Sequence, residues 1–198
     1  HDFIEHKNIK KISYWDEDEK RAAIYTYYSV ANKNHDKYCA KVLEFKNNHK
    51  PTVKWFLKSI LSIFNFDGID IVTYVPSHNK NTLSDQSEFI CSELSSKHNI
   101  NYIPNLIKRI KKVTKSSKAA WRGEKRPTPK QHFNSIKLNC KKSIIKNKTI
   151  LVFDDVLTTS GSFNACKHLL LKSGGDDVYG LFLAKTNKRV AAKYNEHF

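Results

Sequence analysis

The stretch Thr149-Ile150-Leu151-Val152-Phe153-Asp154-Asp155-Val156-Leu157-Thr158-Thr159-Ser160-Gly161-Ser162 decides the reading of this chain. A short run, Thr149–Phe153, apolar from Ile150 onward, reads as a buried strand. Two adjacent acids close it. A small hydroxylated turn follows, and an amphipathic pattern over Ser162–Lys172, closed by Gly174-Gly175, predicts a helix. In an open α/β sheet, ligands bind beyond the carboxyl ends of the strands, so this strand–turn–helix unit lies where a ligand is expected.

The turn chemistry suits a phosphate monoester. Thr158, Thr159, Ser160 and Ser162 supply hydroxyl donors, and Gly161 permits close approach of the backbone. The first turn of the helix presents unpaired N–H groups and a partial positive charge. A helix end contributes only about 0.3–1 kcal/mol to a nearby anion at an exposed site, so several aligned donors must supply the rest. The carboxylates of Asp154 and Asp155 would repel a phosphate lying on them. As pure acceptors they suit the 2′ and 3′ hydroxyls of a ribose, or the water shell of Mg²⁺. Acids for sugar hydroxyls and a donor turn for phosphate together describe a ribose 5-phosphate site.

Two other strand-end acid motifs fit less well. A Walker B strand needs a GxxxxGK[ST] loop elsewhere, and the chain has none. The D-x-D spacing of haloacid-dehalogenase-type phosphatases is not met by adjacent Asp154 and Asp155.

Working outward, Ile69–Val75, ending at Pro76, and Val178–Ala184 read as two further buried strands. Ala22–Ala31 is β-branched and aromatic enough for a strand, with helix as the competing reading, and Asn101–Pro104 is a short strand candidate. Asp36–Lys46, Thr52–Phe64 behind Pro51, and Leu83–His98 carry helical spacing. Strands alternating with helices predict an α/β fold with a doubly wound, mainly parallel sheet. Lys111–Thr128 has little periodicity and reads as a loop. The expected organisation is a polar, weakly ordered arm at 1–21, one domain at 22–187 and a tail at 188–198.

The formal charge of +16 favours anionic partners, although lysine- and asparagine-rich usage in an AT-rich genome gives the same signal. Between Asn105 and Lys130 there are ten Lys or Arg residues and one acid, Glu124. Trp121 and Tyr102 would add stacking if this stretch held nucleic acid. The four cysteines form no CxxC pair, and Cys91 and Cys166 lie in helical apolar patterns that suit buried free thiols. His1–His6 lacks the layout of a secretion signal, His1 is not a translational start, and no apolar run is long enough to span a bilayer. A reducing cytoplasm is the expected setting.

The central stretch resembles the phosphoribosyl pyrophosphate (PRPP) motif of type I phosphoribosyltransferases: apolar residues, two acids, two apolar residues, then T-T-G-x-T. Ile150–Phe153, Asp154-Asp155, Val156-Leu157 and Thr158–Ser162 stand at these positions, with Ser160 where the family has Gly and Gly161 one place later. The family tolerates small residues here, so retained phosphate binding is the expectation. The ComF-like branch, often described as amidophosphoribosyltransferase-like, is the nearest likeness. Its apolar strand ending in a V-P-x-P-x-H-like turn is matched by Val72-Thr73-Tyr74-Val75-Pro76-Ser77-His78, and its following helix by Asp85–Phe89. Its T-x-x-Q segment is matched by Thr128–Gln131. Its pre-core helix is matched by Tyr38–Lys46. Its later R-x-x-N is poorly kept, with Ile136 in place of Arg, and its zinc-ribbon cysteines are absent.

The resemblance implies an Mg²⁺-dependent enzyme, with Mg²⁺ carried by PRPP and no direct metal site. Phosphoribosyl would pass to a nitrogen acceptor and pyrophosphate would leave. Asp154 and Asp155 would hold the ribose, Thr158–Ser162 the 5′-phosphate, and Pro76, Ser77 and His78 the pyrophosphate. Lys115, Lys118, Arg122, Lys125 and Arg126 would be lid cations, and Lys185 would contact a base. The resemblance also implies a small N-terminal hood and a homodimer. It equally admits a non-catalytic PRPP or nucleotide sensor, or a nucleic-acid-associated accessory protein in a competence or defence setting.

Overall fold

The computed structural model describes residues 3, 11–30, 32–79, 84–114 and 127–187. Their core is a six-stranded sheet. Its strands are β1 (Tyr14–Asp16), β2 (Arg21–Tyr27), β3 (Ile71–Tyr74), β4 (Asn101–Tyr102), β7 (Thr149–Leu157) and β8 (Asp177–Thr186). The spatial order is β1-β2-β8-β7-β3-β4, antiparallel only between β1 and β2. β5 (Ile107–Arg109) and β6 (Ile136–Leu138) form a separate antiparallel pair.

Three helices cover one face. α1 (Lys37–Lys46) starts where the Asp36 carboxylate accepts from the N–H groups of Tyr38 (3.0 Å) and Cys39 (2.9 Å). It buries Cys39, Val42 and Phe45. α2 (Lys50–Ile63) carries Pro51 in its first turn and buries Val53, Phe56, Leu57 and Ile60. α3 (Asp85–His98) ends on Asn99 in the left-handed region (φ 54°). Apart from Cys39, these side chains join Val72, Leu151, Phe153 and Leu181 in one core. On the other face α6 (Gly161–Lys172) packs Phe163, Ala165, Cys166 and Leu170 against Ile150, Val152 and Phe182. The short helices α4 (Pro129–Phe133) and α5 (Lys142–Ile145) complete that layer. The sheet is therefore doubly wound, and its architecture is the expected α/β class.

Four features differ from the sequence reading. The segment expected as a weakly ordered arm contributes β1, and Phe3 is 1% exposed, stacked on Phe64 at 5.1 Å. β2 stops at Tyr27, short of Ala31. β7 does not end at Phe153 but continues through both acids to Leu157, because Asp154, Val156 and Leu157 pair with Phe182, Ala184 and Lys185 of the long β8. Ile107–Arg109 and Ile136–Leu138, before and after the Lys111–Thr128 stretch, pair as β5 and β6, which the sequence reading lacked. Cys91 and Cys166 are free and buried. Among the described residues no helix is long and apolar enough to cross a membrane.

Candidate functional site

The topology itself marks a crevice. From β3 the chain leaves through α3, on the first face, and returns outward as β4. From the neighbouring β7 it leaves through α6, on the opposite face, and returns on the other side as β8. Two adjacent parallel strands whose connections diverge in this way define a topological switch point at their carboxyl ends. The segments leaving those ends are Val75–Asn79 and Asp154–Ser160. Both line one cleft of about 510 Å³.

All ten residues expected from sequence at the sugar, phosphate and pyrophosphate positions line this cleft: Asp154, Asp155, Thr158, Thr159, Ser160, Gly161, Ser162, Pro76, Ser77 and His78. Gln86 and Ser87, at the start of α3, also line it. Lys115, Lys118, Arg122, Lys125, Arg126 and Trp121 lie outside the described residues. Lys185 is not in the cleft lining, and its ammonium lies 3.4 Å from the centroid of the Tyr14 ring. Tyr102 is partly buried and packs against the core with its hydroxyl buried.

The two acids differ sharply in environment. Asp154 accepts the N–H of Asp155 at 2.9 Å. Burial, and next the charge of adjacent Asp155, push its carboxyl far above the usual carboxylate range, to about 8. The backbone N–H, Lys46 and Arg109 only partly offset this. Asp155 faces Lys46 of α1, whose Nζ is 3.3 Å from Oδ2. That pair is not sealed in the core, because the side chains keep 28% and 40% of their surface exposed. The Asp155 carboxylate therefore meets solvent in the cleft and can accept from a ligand's hydroxyl groups.

The turn is built by two backbone constraints one residue apart. Ser160 sits in the left-handed region (φ 62°) as the residue before α6. Gly161 begins the helix against the ring of His132. A Cβ at position 161 would lie 2.9 Å from His132 Cδ2 and 3.3 Å from Nε2. His132 is 4% exposed, and its Nδ1 lies 3.3 Å from Ser162 Oγ. Burial, then the charge of Arg109, lower its pKa, which keeps the imidazole neutral. The Thr128–Gln131 segment is a capping box that starts α4, with Thr128 Oγ1 accepting from Gln131 N–H and Gln131 Oε1 accepting from Thr128 N–H.

Arg109 is the residue the sequence reading missed. It is 4% exposed, and its guanidinium donates to the carbonyls of Ser77 (3.0 Å) and Pro76 (3.1 Å) and to Ser135 Oγ (2.5 Å). The alternation in Ile107-Lys108-Arg109, read as a strand, places Arg109 on the inward side with Ile107 and is the signal that could have found it.

No family model matches the chain, and no curated protein matches it. Solved structures with a similar arrangement include phosphoribosylpyrophosphate synthetase from Mycobacterium smegmatis. It is 16% identical, the match covers 66% of this chain and 33% of that one, and the TM-score is 0.36. The chain thus spans about a third of the synthetase. A hypoxanthine phosphoribosyltransferase from Staphylococcus aureus matches in its orthorhombic form at 16% identity, over 77% of this chain and 72% of that one, with a TM-score of 0.36. Its tetragonal form matches at 15% identity, over 73% and 64%, with a TM-score of 0.34. The reading of the cleft rests on its own geometry.

Proposed function

We propose that the chain is a phosphoribosyltransferase-like protein that binds PRPP with Mg²⁺ and passes phosphoribosyl to a nitrogen acceptor, releasing pyrophosphate. The observation that carries this reading is the convergence, in one cleft at a switch point, of the acid pair, the hydroxyl-rich turn at the α6 N-terminus and the Pro76–His78 loop. Asp154 and Asp155 accept from the ribose hydroxyls. Thr158–Ser162 and the first N–H groups of α6 donate to the 5′-phosphate. Pro76–His78, with the cations of the 115–126 segment, hold the pyrophosphate. As the C1′–oxygen bond to pyrophosphate breaks and the acceptor nitrogen bonds to C1′, the protein supplies position and charge stabilisation.

Among the described residues no group of three His, Cys, Asp or Glu side chains could hold a metal ion. Two adjacent carboxylates fit a Mg²⁺ that arrives on the diphosphate with its own waters. The alternative reading, a nucleic-acid partner on the basic 105–130 stretch, draws on the formal charge of +16.

A melting-shift series with PRPP, ribose 5-phosphate and oligonucleotides, each with and without Mg²⁺, tests the reading. PRPP with Mg²⁺ should raise Tm. The double variant Asp154→Asn/Asp155→Asn should lose that shift and keep any salt-sensitive oligonucleotide binding. Pyrophosphate release with a panel of amines and bases then separates an enzyme from a sensor. No PRPP shift in the wild type would refute the assignment.

A further inference from the structure

The Pro76–His78 loop and the Thr158–Ser162 turn follow different strands, yet one buried chain of hydrogen bonds joins them. Arg109 holds the Pro76 and Ser77 carbonyls. Its third donor reaches Ser135 Oγ, which donates to the His132 carbonyl at 2.6 Å. The His132 ring then meets Ser162 Oγ and packs on Gly161. Arg109, His132 and Ser135 are 4%, 4% and 2% exposed. Burying a guanidinium is costly unless its donors are satisfied, so an arginine here signals a requirement for this geometry.

The chemistry of each end is specific. In a trans peptide the C=O and the following N–H point in opposite directions. With the Pro76 carbonyl drawn to Arg109, the Ser77 N–H points away from the guanidinium, oriented to donate to an anion. At the other end, a phosphate oxygen only accepts. Ser162 can offer it a proton only if its own Oγ accepts from His132, which requires the tautomer with hydrogen on Nδ1.

We propose that Arg109, Ser135 and His132 are positioning residues forming a brace that sets the two anion-binding segments for one ligand phosphorylated at both ends, Arg109 orienting the Ser77 N–H and His132 turning the Ser162 hydroxyl into the cleft. The proposal rests on the phosphoribosyl reading of the cleft. The two ends make separable contributions, which a purely structural role would not.

Titration calorimetry of the full chain with Mg²⁺ and three ligands reads them separately. Arg109→Lys should weaken PRPP and pyrophosphate about tenfold and ribose 5-phosphate less than about twofold, the loss expected for charge-assisted hydrogen bonds at one end. His132→Phe should weaken PRPP and ribose 5-phosphate about tenfold and leave pyrophosphate within about twofold, while His132→Asn, which restores a donor near Nδ1, should recover to within about threefold. Ser135→Ala, the mildest change, should weaken all three about threefold, because it uncouples both ends. Equal losses for all ligands in the Arg109 and His132 variants, or no losses, overturn the brace. If those two variants fail to fold, Ser135→Ala binding like the wild type overturns it, and the threefold loss supports it. A wild type that binds neither PRPP nor ribose 5-phosphate removes the phosphoribosyl reading itself. A wild type that binds both, with variants that do not discriminate, removes the brace alone.

Discussion

Asp154→Asn should make the ligand-free protein more stable and its ligand complex weaker. The folded chain keeps a proton on Asp154 until about pH 8, whereas the ordinary carboxyl releases it near 3.8. Between those values the folded state binds more protons than the unfolded one, so stability falls as pH rises through the window. The loss is absent below the lower value and complete above the upper. At about 1.36 kcal/mol per pH unit the full window caps it near 6 kcal/mol. Asp154 is partly exposed to the cleft, so that figure is an upper limit. Asparagine keeps the shape and removes the titration. Urea unfolding should therefore show the variant more stable than the wild type by several kcal/mol, at most about 5, at pH 8, and by less than half of that at pH 5.5. The same substitution should weaken PRPP with Mg²⁺ about tenfold or more, the effect of removing a charged acceptor from a hydroxyl. In the wild type near pH 7, binding should release a proton, read by calorimetry in two buffers of different ionisation enthalpy. A variant less stable than the wild type at pH 8, or a gain that does not grow with pH, would refute the reasoning.

Three further outcomes follow from single residues. Ser160→Gly should be neutral or stabilising by up to about 1 kcal/mol in urea unfolding, because Gly relieves the left-handed backbone while adding freedom to the unfolded chain, and Ser160→Val should destabilise by about 1–2 kcal/mol. Gly161→Ala should cost about 1–3 kcal/mol, since the new methyl meets a buried ring and cannot relax into solvent, and should also displace His132 from Ser162, seen as loss of ribose 5-phosphate binding by calorimetry. Phe3→Ala should cost about 3 kcal/mol by thermal or urea unfolding, as for other fully buried Phe residues; a change below about 0.5 kcal/mol would mean that Phe3 is not part of the core in solution.

The parts of the fold legible in the sequence are those whose signals are local. Ile71–Tyr74 and Val178–Ala184 lie in short, largely apolar runs whose length and β-branched or aromatic content favour a buried strand, and Pro51 and Asp36 mark helix starts by their own chemistry. The parts missed depend on distant partners. Tyr14–Asp16 has no strand pattern of its own and becomes β1 because the edge of β2 is open to it. The two acids look like the end of a strand, yet β8 is long enough to carry β7 through them. Ile107–Arg109 pairs with Ile136–Leu138 across the whole basic stretch, so Arg109 read as one more surface cation while its guanidinium was committed to a buried site. The acid pair and the hydroxyl turn were legible because their chemistry is carried by consecutive residues. Arg109 and His132 contribute through contacts to loops far away in sequence.

The one visible departure from the motif that the turn resembles follows from the same contacts. The resemblance places a glycine at position 160, and the backbone there does adopt the conformation that favours glycine. Serine occupies it at a moderate conformational cost and keeps a hydroxyl on the cleft. Position 161 has no such option. Its backbone conformation is ordinary, but the His132 ring fills the space of any side chain, so the constraint is steric. A strained conformation can be borne by a small residue when the surrounding structure holds it, whereas an atom at 2.9 Å cannot be accommodated without moving a buried ring. The glycine of this chain therefore stands where it must, one residue later, and its shift marks the place where the turn is tied to α4, to Ser135 and, through Arg109, to the opposite loop.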